Sequence, residues 1–285
     1  MLWVGNYGIS YQSEKITMGR LAGKVVIVTG GASGIGAGAS EILGTEGAQV
    51  VVADINRDGA ERKAASIREG GQEAFAVHVD MGDENSIREM IAAAVRKYGG
   101  LDVLFNNAAN TQLSSTSDHR IENMDFAVWD ELMRVNVRGA AMAIKHAIPH
   151  LRARGGGSIV NVASGAALSG MDFATAYGVG KAGLICLTRY VATQHGKEGI
   201  RCNAIAPGPI VTPITAESFA KGKPAHDVML RHTLARRLGT PQDIAWALVW
   251  LASDESAFVN GQCINVDGGM QAHQPFWADF AMPAA

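Results

Sequence analysis

Apolar residues fall into two rhythms along this chain. Short unbroken runs recur at Val25-Val26-Ile27-Val28-Thr29, Gln49-Val50-Val51-Val52-Ala53, 74–79, Asp102-Val103-Leu104-Phe105, 158–163, 200–205 and Cys263-Ile264-Asn265-Val266. Each stops against Gly, Asp, Asn, Ser or Ala-Pro. Runs of this length without alternation predict strands buried on both faces. Between them lie segments of helical period: an alanine-rich one to about residue 46, ended by Gly47; a charged one over 57–69, stopped by Gly70-Gly71; and one over 84–98. A long one from Asp125 carries Trp129, Leu132, Met133, Asn136, Ala140, Ala141, Ile144 and Ile148. Two more run from Tyr177 to about 194, and from Pro241 to Leu251 with Thr240 as cap. About seven strands alternating with six helices predict an α/β protein, a doubly wound parallel sheet with helices on both faces and ligand at its carboxyl edge. One domain is expected over 20–270, with an arm before it (1–19) and an aromatic tail after it (271–285, with Phe276, Trp277 and Phe280).

The carboxyl ends of these predicted strands hold the candidate chemistry. The first runs directly into Gly30-Gly31-Ala32-Ser33-Gly34-Ile35-Gly36 and then a helix. A strand, a glycine turn and a helix N-terminus make an anion site, because free N–H groups and the helix dipole favour negative charge. The spacing is not the usual G-x-G-x-x-G, having an extra residue in the turn. Asp54 ends the second strand about 20 residues on, where a carboxylate hydrogen-bonds a ribose diol and repels a 2′-phosphate. Ser33, Ile55 and Asn56 offer that phosphate no cation. These residues predict NAD rather than NADP; a surface Asp capping the next helix is the alternative. Asp80 and Met81 end the third strand, placed to read an adenine through the carboxylate and a backbone N–H, although Asp80 or Asp83 equally suits the cap of the helix over 84–98. Asn106 and Asn107 end the fourth, either fixing neighbouring backbone or touching a ribose.

Ser164 ends the fifth strand. Tyr177 and Lys181 follow, four apart, so that on a helix they share one face. An ammonium beside a phenol favours the phenolate and predicts a lowered tyrosine pKa, suited to moving a proton to or from an alcohol. A solvated lysine stem lying on a ring is the plainer reading of the same spacing. Asn136, a polar amide within an apolar stripe, must find partners, hold a water or disrupt the helix locally. The wide stripe around it predicts a subunit interface in part. Residues 110–123 lack periodicity and suit a cleft wall. Prolines 207, 209 and 213 stiffen the turn after the sixth strand, and 213–233 suits a lid.

Composition narrows the field. In 285 residues with net charge -2, 47% apolar and 18% charged, nothing suggests disorder or a nucleic-acid footprint. No apolar run approaches the ~20 residues of a membrane helix, and the N-terminus lacks the pattern of a secretory signal. Three scattered cysteines, Cys186, Cys202 and Cys263, fit no metal pattern and predict reduced core thiols in a cytoplasmic protein.

In this order, from Leu21 to Met270, these residues resemble the short-chain dehydrogenase/reductase family, whose fold is of the Rossmann type. The resemblance is carried by Thr29-Gly30-Gly31-Ala32-Ser33-Gly34-Ile35-Gly36, by Asn106-Asn107-Ala108-Ala109 (the family usually has Gly where Ala109 stands), by Asn136, by Ser164, Tyr177 and Lys181, and by Pro207-Gly208 with Thr212. It implies that Tyr177 is the acid/base and that Lys181 lowers its pKa and binds the nicotinamide ribose. Ser164 would polarise the carbonyl, Asn136 would position a relay water, and Ile210 and Thr212 would hold the carboxamide. A homotetramer is implied as well.

The expected activity is NAD-dependent interconversion of a secondary alcohol and its ketone. Ala166, Leu168, Met171 and Phe173, taken as the cleft wall, suit a cyclic, terpenoid, aryl or steroid-like substrate. A 3-oxoacyl-thioester reductase is the alternative, with Lys221, Lys223, Arg231, Arg236 and Arg237 to meet an acidic carrier. A nucleotide-binding sensor that lost its chemistry is the alternative from another class.

Overall fold

The computed structural model describes residues 19–280. The expected N-terminal arm, with Trp3, Tyr7 and Tyr11, lies outside the described residues, as does the end of the tail. The elements follow one another as β1 (Val25–Thr29), α1 (Gly34–Thr45), β2 (Gln49–Asp54), α2 (Arg57–Glu69), β3 (Ala74–His78), α3 (Glu84–Tyr98), β4 (Val103–Asn106), α4 (Thr111–Ser117), α5 (Phe126–Met133), α6 (Gly139–Ala153), β5 (Gly157–Val162), α7 (Thr175–His195), β6 (Ile200–Pro207), α8 (Pro224–Arg231), α9 (Pro241–Ala252), β7 (Cys263–Val266) and α10 (Trp277–Phe280). The strands form one parallel sheet in the order β3-β2-β1-β4-β5-β6-β7. Its strand order reverses between β1 and β4, and such a switch point opens a crevice at the carboxyl ends.

The unbroken valine runs are explained by burial on both faces. Val26, Val28, Val50 and Val52 pack with Leu43, Ile244 and Leu248 of α1 and α9. Val25, Ile27 and Val51 point the other way, onto Ile87, Met90, Ile144 and Leu151 of α3 and α6. Alternate residues of each strand thus serve two cores, so every position is apolar.

Three segments differ from expectation. Residues 110–123 contain α4 and a 3-10 turn at Ile121–Asn123. The long helix from Asp125 is interrupted by a π turn at Arg134–Arg138, so that it becomes α5 and α6. The π turn admits an extra residue and carries Asn136 inward, where its Oδ1 accepts the Asn110 N–H at 2.9 Å. Cys186 is exposed, whereas burial pushes the Cys202 thiol up to about 12.

The start of α9 shows what fixes a helix boundary here. Asp243 Oδ2 accepts both the N–H of Thr240 (2.7 Å) and its hydroxyl (2.9 Å), while Arg237 donates to both oxygens at 2.7 and 2.8 Å. The Arg237 pair, and after it the Thr240 bonds, hold the Asp243 carboxyl well below the usual range. A depressed carboxylate stabilises the fold above its unfolded pKa of ~3.9 and loses that contribution as pH falls through its folded value. Asp243→Ala is expected to cost about 1–2 kcal/mol at pH 7, in the range of a lost cap, and the gap from wild type to narrow progressively below about pH 4. Urea melts at both pH values check this.

Candidate active site

Thr29 and Asn107 join the ends of the paired strands β1 and β4 at the switch point, where the connections after them turn to opposite faces. The Thr29 hydroxyl donates to Phe105 O and accepts the N–H groups of Asn107 and Ala108 at 3.0 and 3.1 Å. In return, the Asn107 amide donates to Thr29 O and Gly30 O at 2.9 and 3.1 Å. Asn107 therefore fixes backbone, one of the two roles its position allowed. Gly30 holds φ +66°, and a Cβ there would stand 2.9 Å from Ala108 Cα. A Cβ on Gly36 would lie 2.0 Å from Gly30 O, so both glycines are needed for the turn to close on itself.

The first α1 bond runs from Ala37 N to Ser33 O at 3.0 Å, leaving the N–H groups of Gly34, Ile35 and Gly36 without helical partners. The Ser33 side chain makes no cap bond. Free donors at a helix start, facing a cradle that a Cβ would fill, suit the diphosphate of a dinucleotide. Asp54 borders this turn. Its Oδ2 accepts Ala32 N–H at 3.0 Å and its Oδ1 accepts Asn56 N–H at 2.9 Å. The cap of α2 is Asn56 rather than Asp54, its Oδ1 taking Gly59 N–H at 3.0 Å. On the next loop Asp83 caps α3 and Asp80 folds the turn through Gly82 N–H at 2.7 Å, so the cap falls to Asp83 and not to Asp80.

Across the crevice, Ser164 follows β5 and caps the 3-10 turn Gly165–Ala167, accepting Ala166 N–H at 3.2 Å. Tyr177 and Lys181 lie in the first two turns of α7. Lys181 is 2% exposed, its Nζ donates to Val162 O at 2.6 Å, and it stands 5.6 Å from the centre of the Tyr177 ring. This is not a solvated lysine. Burial pushes its ammonium down to about 8. Burial also pushes the Tyr177 phenol up, opposed by the neighbouring Ser164 hydroxyl. The expected lowering of the tyrosine is therefore corrected: among the protein's own groups desolvation outweighs the Ser164 hydrogen bond, and the phenol is raised. Asn136 is 2% exposed, with its Nδ2 unpartnered among the described residues.

One cavity of about 790 Å³ gathers nearly all the residues singled out from the sequence. Gly30, Ser33, Gly34, Ile35, Asp54, Ile55, Asp80, Met81 and Asn107 line one part, and Ser164, Tyr177, Lys181, Pro207, Gly208, Ile210 and Thr212 another. Gly36 and Asn136 stand behind the wall instead of in it. Ala166, Leu168, Met171 and Phe173, expected as the substrate wall, do not line the cavity. Past the 3-10 turn the last three lie exposed on the loop into α7. Thr111 and Gln112 of the expected cleft wall 110–123 and Ile214 and Phe219 of the expected lid 213–233 do line the cavity, and Glu131 and Arg134 also reach it. Nothing in the sequence signalled Glu131 and Arg134, which reach the cavity from the end of α5 and the start of the π turn. Among the described residues no group of three or more His, Cys, Asp or Glu is placed to hold a metal.

The family model described as "Enoyl-(Acyl carrier protein) reductase" matches residues 30–271. A 7alpha-hydroxysteroid dehydrogenase of Bacteroides fragilis is 38% identical over 258 residues, covering 90% of this chain and 98% of its relative. A cis-4-hydroxycyclohexanecarboxylate dehydrogenase of Sinomonas cyclohexanicum is 38% identical over 256 residues, covering 88% and 98%. Among solved structures, levodione reductase superposes with a TM-score of 0.83 at 30% identity, covering 89% of this chain and 100% of that one. With a family model over most of its length, relatives this similar and a solved structure that superposes over nearly all of it, the chain belongs to the short-chain dehydrogenase/reductase family.

Proposed function

We propose that this protein is an NAD-dependent dehydrogenase that interconverts a secondary alcohol and its ketone. The observation that carries the reading is a single cavity shared by a phenol–ammonium–hydroxyl set, Tyr177, Lys181 and Ser164, and by the anion-binding turn at Gly30–Gly36. A bound nicotinamide dinucleotide supplies the hydride acceptor or donor. Gly34, Ile35 and Gly36 offer N–H groups to its diphosphate, and Asp54 offers carboxylate lone pairs to the adenosine ribose. Asp80 and Met81 border the adenine end, and Pro207, Gly208, Ile210 and Thr212 the nicotinamide end. Lys181 serves the second ribose.

In the oxidation direction the Tyr177 oxygen takes the proton of the alcohol hydroxyl; in reduction it returns that proton to the forming alkoxide. Ser164 hydrogen-bonds the same substrate oxygen. The Lys181 ammonium favours the phenolate against the desolvation that opposes it. Asn136, whose buried Nδ2 has no partner among the described residues, would hold a water that passes the proton onward.

A cyclic or steroid-like apolar alcohol is the proposed substrate class, supported by Ile214 and Phe219 in the cavity wall and by the names of the two relatives. The acyl-carrier-protein description of the matching family model favours a second reading, a 3-oxoacyl-thioester reductase. Lys221, Lys223, Arg231 and Arg236 are exposed and free to meet such a carrier, whereas Arg237 is held by Asp243. A panel of secondary alcohols and 3-oxoacyl thioesters, followed by NADH absorbance, separates the two.

We also propose a cytoplasmic homotetramer, built in part on α5 and α7, where Phe126, Val179 and Tyr190 are exposed apolar residues. No helix among the described residues is long and apolar enough to cross a membrane. Light scattering at monomer mass alone would refute the assembly.

Tyr177→Phe is expected to lower kcat by about 10³-fold or more while dinucleotide affinity, read by fluorescence titration, stays within a factor of about two; unchanged turnover sinks the mechanism. Because burial raises the phenol pKa, and only the phenolate accepts a proton, kcat/KM for oxidation is expected to climb with pH through neutrality, whereas that for reduction, which needs the phenol, stays level there and falls only at higher pH. Asp54→Ala removes the carboxylate that repels a 2′-phosphate. It is expected to raise the NADP-to-NAD ratio of kcat/KM by about tenfold or more, even as loss of the Ala32 and Asn56 bonds lowers both values.

A further inference from the structure

The helix that carries Tyr177 begins badly on its own account. Its N-cap is Ala174, which has no side-chain acceptor and sits at φ 58°, ψ 43°, the described non-glycine residue with a positive φ. Alanine in the left-handed region is strained, and an alanine cap leaves the first N–H groups of a helix without partners. The first bond within the helix reaches only Gly178 N, from Ala174 O at 2.9 Å.

What the cap lacks is supplied from another part of the chain. Asp118, just after α4, is 3% exposed. Its Oδ1 accepts the N–H of Ala176 at 3.0 Å and its Oδ2 accepts the N–H of Tyr177 at 2.8 Å. Its backbone oxygen accepts Ala174 N–H at 2.9 Å, and the Thr175 hydroxyl donates to His119 O at 3.0 Å. Four consecutive residues of the α7 start are thus clasped by two residues that lie 56 or more positions earlier. A buried carboxylate at the positive end of the helix dipole is stabilised there and orders that end.

We infer that Asp118 is a positioning residue for catalysis: it holds the backbone of Tyr177, and through it the phenol, in register with Ser164 and the cavity. The carboxylate also couples the proton carrier to the cleft wall, because α4 supplies Thr111 and Gln112 to the same cavity. The inference rests on the proposed role of Tyr177 and deepens it.

Asp118→Asn tests it in the full-length enzyme with cofactor and the best substrate of the alcohol panel. The amide keeps the shape of the carboxylate, yet only its oxygen can accept, so one of the two N–H groups loses its partner. The expected result is a fall in kcat of about 10- to 100-fold, the scale of a misplaced reacting group, with KM for the dinucleotide within about twofold. Amide hydrogen exchange should accelerate about tenfold or more over 174–181 and remain unchanged over 184–195. Asp125→Ala, which removes the cap bond of α5 to Ala127 N (2.8 Å), serves as the control and should leave kcat unchanged. Unchanged exchange over 174–181, or faster exchange with full kcat, overturns the inference, as does an equal kcat loss in the control.

Full turnover in Tyr177→Phe would overturn the reading of Tyr177 instead, and the exchange measurement would still report on the clasp. If Asp118→Asn does not fold, Thr175→Val, which removes only the bond to His119 O, should produce the same pair of changes at about threefold. No change in either quantity would then overturn the inference.

Discussion

The hydrogen bonds between Thr29 and Asn107 are the constraint on which the site depends. Strands β1 and β4 are paired, but the chain leaving β1 turns to one face of the sheet and the chain leaving β4 to the other, so the crevice between these connections has no sheet bonds to keep its width. One buried hydroxyl and one side-chain amide tie the turn after β1 to the loop after β4 through five contacts. With that distance fixed, the glycine turn presents its free N–H groups to one side and the end of β5 stands at a set distance on the other. Loss of the Thr29 hydroxyl would take the partner from the part-buried Ala108 N–H, whereas the Asn107 N–H keeps Phe105 O at 3.1 Å; a donor left unpaired costs more than the bond itself is worth.

Electrostatics at the site is a contest that burial wins. A phenol and an ammonium share a face of α7, and in water each would favour the charge of the other. Inside the cavity both are pushed toward their neutral forms. The bond from Lys181 to Val162 O compensates only part of that cost. A site built this way holds its proton close to the point of transfer, and the balance can be tipped by whatever charge enters the cavity. Solvated, the same two side chains would each keep their ordinary pKa and have little to exchange.

Much of this architecture was legible in the chain because parallel strands buried on two faces leave a plain mark: Val25 to Thr29 and Gln49 to Ala53 admit almost no other reading. The residues at the ends of those runs could be named for the same reason, since sheet topology brings strand ends together. What was hidden depended on contacts between distant segments. One part of the substrate wall was misplaced, because the 3-10 turn after Ser164 leads Leu168, Met171 and Phe173 onto an exposed loop, while 110–123 and 213–233 reach the cavity as expected. The direction of the Tyr177 shift was misjudged because helical spacing reports a neighbouring charge and says nothing of desolvation. Asp118 was unreadable because its partners are backbone N–H groups on another helix, which leave no periodicity to find.

The π turn between α5 and α6 sets the phase of everything after it. A helix turns by 100° per residue, so an extra residue rotates the following fifteen-residue α6 by that angle relative to a regular continuation. Met142, Ala143, Ile144 and Ala147 face the sheet because of that offset. Deleting one residue from 134–138 would give a smoother helix and a worse protein, with charged Lys145 swung toward the core and the Asn136 amide carried away from Asn110. Chain length in this stretch is therefore as much a determinant of the site as the identity of any residue in it.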